Sequence, residues 1–293
     1  MANSLSYKTI TPDRFATYLA RYEDVVPDNL RDLDAYRFVT VPGLLEERRS
    51  EGGEAWLEKE EVQKLVDWKL KHGTFRPSLA KLVASNTEEL IVSTTKNAFN
   101  STKQSTQDMV KQLAKNLKGI GPATAALLAS CYDPENIPFF SDELFRWTHW
   151  DGILMNTNDT TSPLKKPGKG WSRQIGYTPK EWESMGAKCK LLRRRMSAAS
   201  RPVTCLDIEK VAYVPGTEDV DIEDDLGDVS AEGDKHKDEG GSDDEEPPQG
   251  IKDNTKRIKQ QSKPTSLAGK KRKGDVQQPS EPTTKRTRSK RLG

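Results

Sequence analysis

The chain has 293 residues, of which 33% are hydrophobic and 31% charged, and its formal net charge is only +2. This composition is too polar for a fully folded chain, so it predicts one core of ordinary size with a long segment outside it rather than two compact domains. No apolar run is long enough to cross a membrane and the N-terminus has no secretory pattern, so we expect no membrane partner.

Helical periodicity and capping residues predict a mostly α domain over residues 1–216. Thr11 followed by Pro12 is typical of a helix start. A stripe of apolar residues at helical spacing runs between Gly53 and Gly73, and a short helix is expected in 205–214. No alternating pattern predicts strands. Further helix starts are predicted at these caps: Thr87, Ser105 with Asp108, and Thr178 with Glu181.

Two of these helices are joined by "LKGIGPATAALLA", Leu117 to Ala129. Gly119 and Gly121 allow backbone angles that other residues avoid, and Ile120 between them is expected to face the core. Pro122 suits the first turn of the second helix. The N–H groups at that helix start attract anions, and a DNA phosphate is such an anion. The alternative is a helix–helix turn with no ligand.

A lone carboxylate, Asp142, lies in "PFFSDELFRW", 21 residues after Gly121. Together with the hairpin, this stretch resembles the helix-hairpin-helix DNA glycosylase superfamily. The resemblance implies a DNA-glycosylase-like domain, with the helix-hairpin-helix motif at about 105–132 and duplex DNA as partner. It implies a catalytic role for Asp142. It also implies that the backbone-binding residues are Gly119, Gly121, Ala123 and Thr124.

Aromatic side chains are expected to stack on a base that is flipped out of the duplex. The candidates for this pocket are Tyr132, Phe140, Trp147 and Trp171. The stretch "WKLKHGTFRPSLAKLVASN", Trp68 to Asn86, also resembles the Amun-like proteins, which are described as nuclear proteins with a glycosylase-like domain.

One position departs from the superfamily pattern. Bifunctional glycosylases carry a nucleophilic lysine at the start of the second hairpin helix, where this chain has Ala123. A monofunctional glycosylase that hydrolyses the base–sugar bond therefore remains open, and so does a DNA-binding or chromatin-associated protein without catalysis. Asp142 has a non-catalytic alternative as a helix cap. His149 likewise has two possible roles, as a proton carrier or as a structural side chain.

The loop from Gly152 to Tyr177 is long, polar and basic. Such loops are functional or disordered, although Trp171 also suits a buried anchor. The cysteines Cys131, Cys189 and Cys205 fit neither a metal-binding spacing nor a disulfide framework. We therefore expect buried thiols, no metal and no cofactor.

The end of the chain separates its charges into two blocks. Residues 217–246 contain fifteen acidic and two basic residues, and residues 251–293 contain fourteen basic and three acidic ones. Both segments have almost no apolar side chains. We therefore expect 217–250 to be an acidic disordered linker and 251–293 to be a basic disordered tail. The acidic block suits basic chromatin proteins or serves as a spacer.

Two clusters in the tail predict binding of an import receptor and a nuclear location, with a merely solubilising tail as the alternative. The basic residues of these clusters are Lys270, Lys271, Arg272, Lys273, Lys285, Arg286, Arg288, Lys290 and Arg291.

Overall fold

The computed structural model describes residues 4–73, 76–102, 104–156, 160–196 and 202–222. All of them belong to one unit that ends at Gly233. The greater part of the acidic linker, the basic tail and both basic clusters lie outside the described residues.

The prediction of a mostly α domain is confirmed. The first helices are α1 (Pro12–Ala20), α2 (Tyr22–Val25), α3 (Asp28–Ala35), a π-helical turn (Tyr36–Thr40) and α4 (Val41–Gly52). They are followed by α5 (Lys59–His72), α6 (Pro77–Ala84), α7 (Glu88–Phe99), α8 (Thr106–Asn116) and α9 (Pro122–Tyr132). The last elements are α10 (Asp142–Thr148), β1 (Ile153–Met155), β2 (Thr161–Pro163), a 3₁₀ turn (Gly170–Ser172), α11 (Pro179–Met196) and α12 (Cys205–Thr217).

The predicted helix caps are present because each hydroxyl accepts a hydrogen bond from an amide of the first turn. Thr11 accepts from Arg14, Thr87 from Leu90 and Ser105 from Asp108. Thr178 and Glu181 form a reciprocal capping box at the start of α11. These contacts are local in sequence, which is why the sequence predicts them.

Two parts of the secondary structure differ from the prediction. The loop after Gly152 contains an antiparallel pair of short strands, β1 and β2, in which Leu154 pairs with Ser162. Three residues per strand are too few to show an alternating pattern. The stripe that begins at Gly53 becomes helical only at Lys59, because Glu58 and Glu61 form a capping box there.

Helix α9 lies at the centre of the domain. Every residue from Ala123 to Cys131 is buried, and α9 contacts α4, α5, α8 and α11. A helix that is apolar on all sides is stable only when neighbours surround it. The small alanine side chains let these neighbours approach closely. As a result, the start of α9 is held in a fixed position at the end of the hairpin.

The folded domain extends beyond the predicted boundary at residue 216. Helix α12 ends at Thr217, and the chain then packs back against the domain until Ile222, which is 1% exposed. The Val220 carbonyl accepts a hydrogen bond from the Trp171 indole N–H. The first residues of the predicted acidic linker are therefore ordered, because two aliphatic side chains are interspersed among the carboxylates.

A buried ion pair joins the N-terminal and C-terminal parts of the folded sequence. Arg37 of the π-helical turn donates to Glu209 of α12, with Nη2 2.8 Å from Oε2.

The described cysteines are buried and unpaired, as expected. Within the described residues, no helix has both the length and the apolar composition needed to cross a membrane.

Candidate functional site

The hairpin between α8 and α9 turns at Gly119, which has a left-handed φ of +77°. A Cβ atom at this position would lie 2.9 Å from Leu82 Cβ and 3.1 Å from the backbone nitrogen of Val83, both in α6. Only glycine satisfies both constraints. Ile120, the next residue, is 2% exposed and faces the core as predicted. The turn is therefore fixed from behind by α6.

Asn86, just after α6, fastens the same turn through its side-chain amide. Its Oδ1 accepts from the Lys118 amide at 2.9 Å, and its Nδ2 donates to the Lys118 carbonyl at 2.9 Å. Asn86 is itself buried. A buried amide with both ends paired specifies one geometry, so the hairpin has a defined shape without any ligand.

Gly121 differs from Gly119 because it does not use the unusual backbone angles that glycine allows. Its φ is −85° and its ψ −179°, which any residue adopts, and a Cβ there would meet no atom within 4 Å. Gly121 is the exposed N-cap of α9, and no side chain caps this helix. The side chains of Ala123 and Thr124 are buried. The amides of Gly121, Ala123 and Thr124 at this helix start therefore have no side-chain cap, and they lie at the positive end of the helix dipole.

Exposed lysines flank the hairpin. Lys111 and Lys115 lie one turn apart on α8, and Lys118 precedes the turn. Among the described residues, none of the three has an ion-pair partner. Lys111 and Lys115 line a groove beside Pro122 at the uncapped helix start, together with Glu183 of α11.

Asp142 is the first residue of α10, but it is not the cap of that helix. Ser141 is the cap, and its Oγ accepts from the Leu144 amide at 3.1 Å. The Asp142 carboxylate instead accepts a 2.6 Å hydrogen bond from the Tyr177 hydroxyl, while Arg146 Nη2 lies 3.5 Å from Oδ2. The capping alternative for Asp142 is thus wrong, because the residue before it performs that role.

A small cavity of about 20 Å³ adjoins Asp142. This is room for about one water molecule and far less than a nucleobase occupies. The lining residues include three cationic or ionisable side chains that sequence reasoning missed: Lys69, His72 and Arg76. Burial lowers the pKa of Lys69, and it lowers the pKa of His72 to about 3. These residues precede Asp142 by some seventy positions, so no local pattern indicates that they meet it.

Glu143 is a second carboxylate on this cavity, and sequence reasoning missed it too. Its Oε2 is buried without a hydrogen-bond partner in the described part of the chain. Burial, with a further contribution from Asp142, raises the pKa of Glu143 to about 7. Glutamate is common in the first turn of helices, so its identity alone gave no signal.

Tyr177 lines the same cavity as Asp142. Its φ of +51° is rare for a bulky residue. The buried carboxylate of Glu181 fixes this conformation, because it accepts hydrogen bonds from the amides of Gly176 and Thr178 on either side. The Tyr177 ring lies 5.6 Å from the Phe140 ring, and the Arg76 guanidinium lies over it at 5.2 Å.

Of the predicted pocket residues, only Phe140 lines this cavity. Tyr132 stacks on Phe99, the Trp147 indole donates to the Leu5 carbonyl in the core, and Trp171 is an anchor against Val220. His149 is structural. Its ring nitrogens contact Phe145 and Ser184, and burial lowers its pKa to about 3.

Helix α6 connects the hairpin to the cavity. Its C-terminal end packs on Gly119, and Arg76, at its N-terminal end, lines the cavity beside Asp142. Eight helical residues span about 12 Å, which sets the scale of the separation.

No protein-family model, curated protein or solved structure matches this chain.

Proposed function

We propose that the helical domain binds the phosphate backbone of duplex DNA through the hairpin between α8 and α9. The observation that carries this proposal is the exposed and uncapped start of α9 at Gly121. A phosphate oxygen accepts hydrogen bonds from main-chain amides at such a position, and the helix dipole favours its negative charge. The close packing of Gly119 on α6 supports the proposal, because a rigid turn needs little ordering when it binds.

The lysines Lys111, Lys115 and Lys118 add a long-range attraction to the same surface. Each lysine that neutralises a phosphate releases a condensed counterion, so affinity depends on salt. Backbone contacts of this kind carry no sequence information. The proposed binding is therefore to duplex DNA in general, unless a second feature selects a base or a lesion.

The proposed location is the nucleus, with an import receptor bound by the basic clusters of the tail. Basic chromatin proteins are the proposed partners of the acidic segment. Both proposals rest on the composition of residues 217–293, of which only the first six are described.

A charge placed at Gly121 tests the hairpin proposal. In Gly121→Asp the new side chain has open space, and aspartate is a favoured N-cap, so the fold is retained. The new carboxylate then occupies the proposed phosphate site, and its negative charge repels a phosphate group. A matched control is Gly43→Asp in the first turn of α4, where a Cβ also meets no atom within 4 Å. Both variants are made in the full chain with alanine at the basic residues of the two tail clusters.

Binding to a labelled duplex is measured by fluorescence anisotropy. We expect Gly121→Asp to bind at least tenfold more weakly, a loss of about 1.4 kcal/mol, and Gly43→Asp to bind like the parent. Equal affinities of the two variants would refute the hairpin proposal.

The second candidate function is monofunctional base excision at Asp142. It is favoured by the observation that this carboxylate does not cap α10 and instead adjoins a cavity of one-water size. A carboxylate in this position orients a water molecule and stabilises the positive charge that develops on the sugar as the base leaves. The alanine at position 123 leaves the hairpin without a Schiff-base nucleophile.

Base excision requires that the Tyr177 ring leave its place beside Phe140, because the cavity does not hold a base. The strained backbone of Tyr177 makes this displacement less costly. The test is a base-release assay on a panel of damaged duplexes with the full chain and with Asp142→Asn. We expect release of at least one base by the parent and a loss of more than 100-fold in the variant. No release by either protein would leave only the binding function.

A further inference from the structure

Glu143 has a buried carboxylate oxygen that no neighbouring group in the described residues satisfies. It follows Asp142 on α10, and the two carboxylates line the same cavity. The Glu143 side chain is partly buried, and its buried Oε2 has no hydrogen-bond partner among the described residues. A buried carboxylate oxygen without a partner is costly, so such groups are rare in folded proteins.

The packing of α12 holds Glu143 in place. A Cβ on Gly216 would lie 2.8 Å from Glu143 Cγ and 3.2 Å from the Trp171 ring. The glycine therefore leaves room for the glutamate side chain between α12 and the cavity. The charged and titratable groups that surround Glu143 are Lys69 and His72 of α5, Arg76, Asp142 and Arg146 of α10, Tyr177, and Glu209 and Tyr213 of α12.

We propose that Glu143 is the general acid of the site and donates its proton to the departing base, while the Asp142 carboxylate stabilises the sugar. The proposal rests on the base-excision function proposed above. It deepens that function, because it assigns the proton on which departure of a neutral base depends. Burial supports it by raising the pKa of Glu143 to about 7, so that a large fraction is protonated at neutral pH.

The reaction balances with these two carboxyl groups and one water molecule. The bond between the base nitrogen and C1′ of the sugar breaks, and its electron pair goes to the base. The Glu143 O–H proton is transferred to the base at the same stage. The water oxygen then forms a bond to C1′, and the proton that it loses passes to a carboxylate. The products are the free base and a sugar with a hydroxyl at C1′.

This assignment names a substrate class. A neutral purine or pyrimidine is a poor leaving group and needs the proton. A base alkylated on a ring nitrogen is already cationic and leaves without one. We infer that the site acts on neutral bases, and that alkylated cationic bases depend on Asp142 alone. General acid catalysis contributes roughly 100- to 10,000-fold.

The experiment compares Glu143→Gln and Asp142→Asn in the full chain on two kinds of duplex. One duplex carries the neutral base that the parent releases, and the other carries 7-methylguanine, a cationic base. We expect Glu143→Gln to lose at least 100-fold on the neutral base and less than threefold on 7-methylguanine. Asp142→Asn is expected to lose activity on both. Thermal unfolding of each variant verifies that it is folded.

The outcomes separate the general acid from the enzyme itself. Equal losses of Glu143→Gln on both duplexes, or full activity on the neutral base, overturn the general-acid role while the base-excision function stands. Absence of release from every duplex by the parent overturns both. A second variant, Glu143→Asp, retains the acid with a shorter reach, and its partial recovery of the neutral-base reaction supports the proposal. A loss as large as that of Glu143→Gln contradicts it.

Discussion

The Tyr177 hydroxyl donates a 2.6 Å hydrogen bond to Oδ1 of Asp142 and so joins the start of α10 to the segment before α11. Burial and the neighbouring Asp142 carboxylate raise the pKa of Tyr177 well above its ordinary value. The hydroxyl therefore stays protonated and remains a donor at any physiological pH. The bond holds the carboxylate and an aromatic ring together at the same cavity.

Removing this hydroxyl tests its structural contribution. We expect Tyr177→Phe to lower the free energy of unfolding by about 2 kcal/mol, because a hydrogen bond to a charged group is lost. The control is Tyr18→Phe in α1, since Tyr18 is buried and its hydroxyl has no hydrogen bond within the described residues. Urea unfolding measures both. A change as small for Tyr177→Phe as for Tyr18→Phe would show that the bond does not stabilise the fold.

The environment of Glu143 predicts a pH dependence of stability. Its folded-state pKa of about 7 exceeds the ordinary value of 4.5, so the folded state binds the proton more tightly than the unfolded state. This contribution is fully present below pH 4.5 and is lost as the pH rises through 7. Glu143→Gln removes the titration. From pH 4.5 to 7.5 the stability of this variant relative to the parent should therefore rise by up to about 3 kcal/mol.

Urea unfolding at four pH values across this range measures the difference. Other titrating groups are shared by the two proteins and cancel in the comparison. Parallel stability curves would mean that Glu143 titrates normally, and they would remove the support that its burial gives to the general-acid role.

The two hairpin glycines should respond differently to alanine. Gly119→Ala places a side chain at a left-handed φ and against Leu82 and Val83, so we expect a loss of about 2–4 kcal/mol. Gly121→Ala has an ordinary φ and open space, so we expect a change of less than about 1 kcal/mol, because the reduced entropy of the unfolded chain opposes the poorer fit of alanine to an N-cap. Equal effects in thermal unfolding would contradict the roles assigned to these residues.

The lysines of α8 should determine the salt dependence of DNA binding. We expect the double variant Lys111→Gln with Lys115→Gln to lower the slope of log affinity against log salt by about 2, since each phosphate contact contributes about 0.9. Lys64→Gln with Lys71→Gln, two exposed lysines of α5, is the matched control and should leave the slope unchanged. Slopes that fall equally in both variants would indicate a diffuse charge effect.

Much of the fold could be predicted because its determinants are local. Thr11, Thr87 and Ser105 each cap a helix through a residue three positions later, and the Gly119 turn follows from the sequence around it. The helices between Tyr22 and Gly52 lack such signals at their starts, since α2 and α3 have no side-chain cap. Their positions depend on tertiary packing instead.

Only part of the candidate site could be predicted, because sequence patterns reveal local determinants and not contacts made by tertiary packing. Asp142 was found because it lies in a recognisable stretch after the hairpin. His72 and Tyr177 meet Asp142 only through packing of α5, α10 and the segment before α11, and Glu143 follows Asp142 directly but has its unusual environment only because of the same packing. The predicted aromatic residues Tyr132 and Trp147 lie close to Asp142 in sequence, but they face the core on other sides of their helices.

Amide chemical shifts measured during titration with duplex DNA test the central claim most directly, because they resolve the hairpin from the basic tail in one protein. In the deuterated, ¹⁵N-labelled full chain, we predict that the amides of Gly121, Ala123 and Thr124 are among the most strongly shifted of residues 1–222. We also predict that the Gly121→Asp variant loses these changes. Shifts confined to residues 251–293, with the hairpin amides unaffected, would contradict backbone binding by the hairpin.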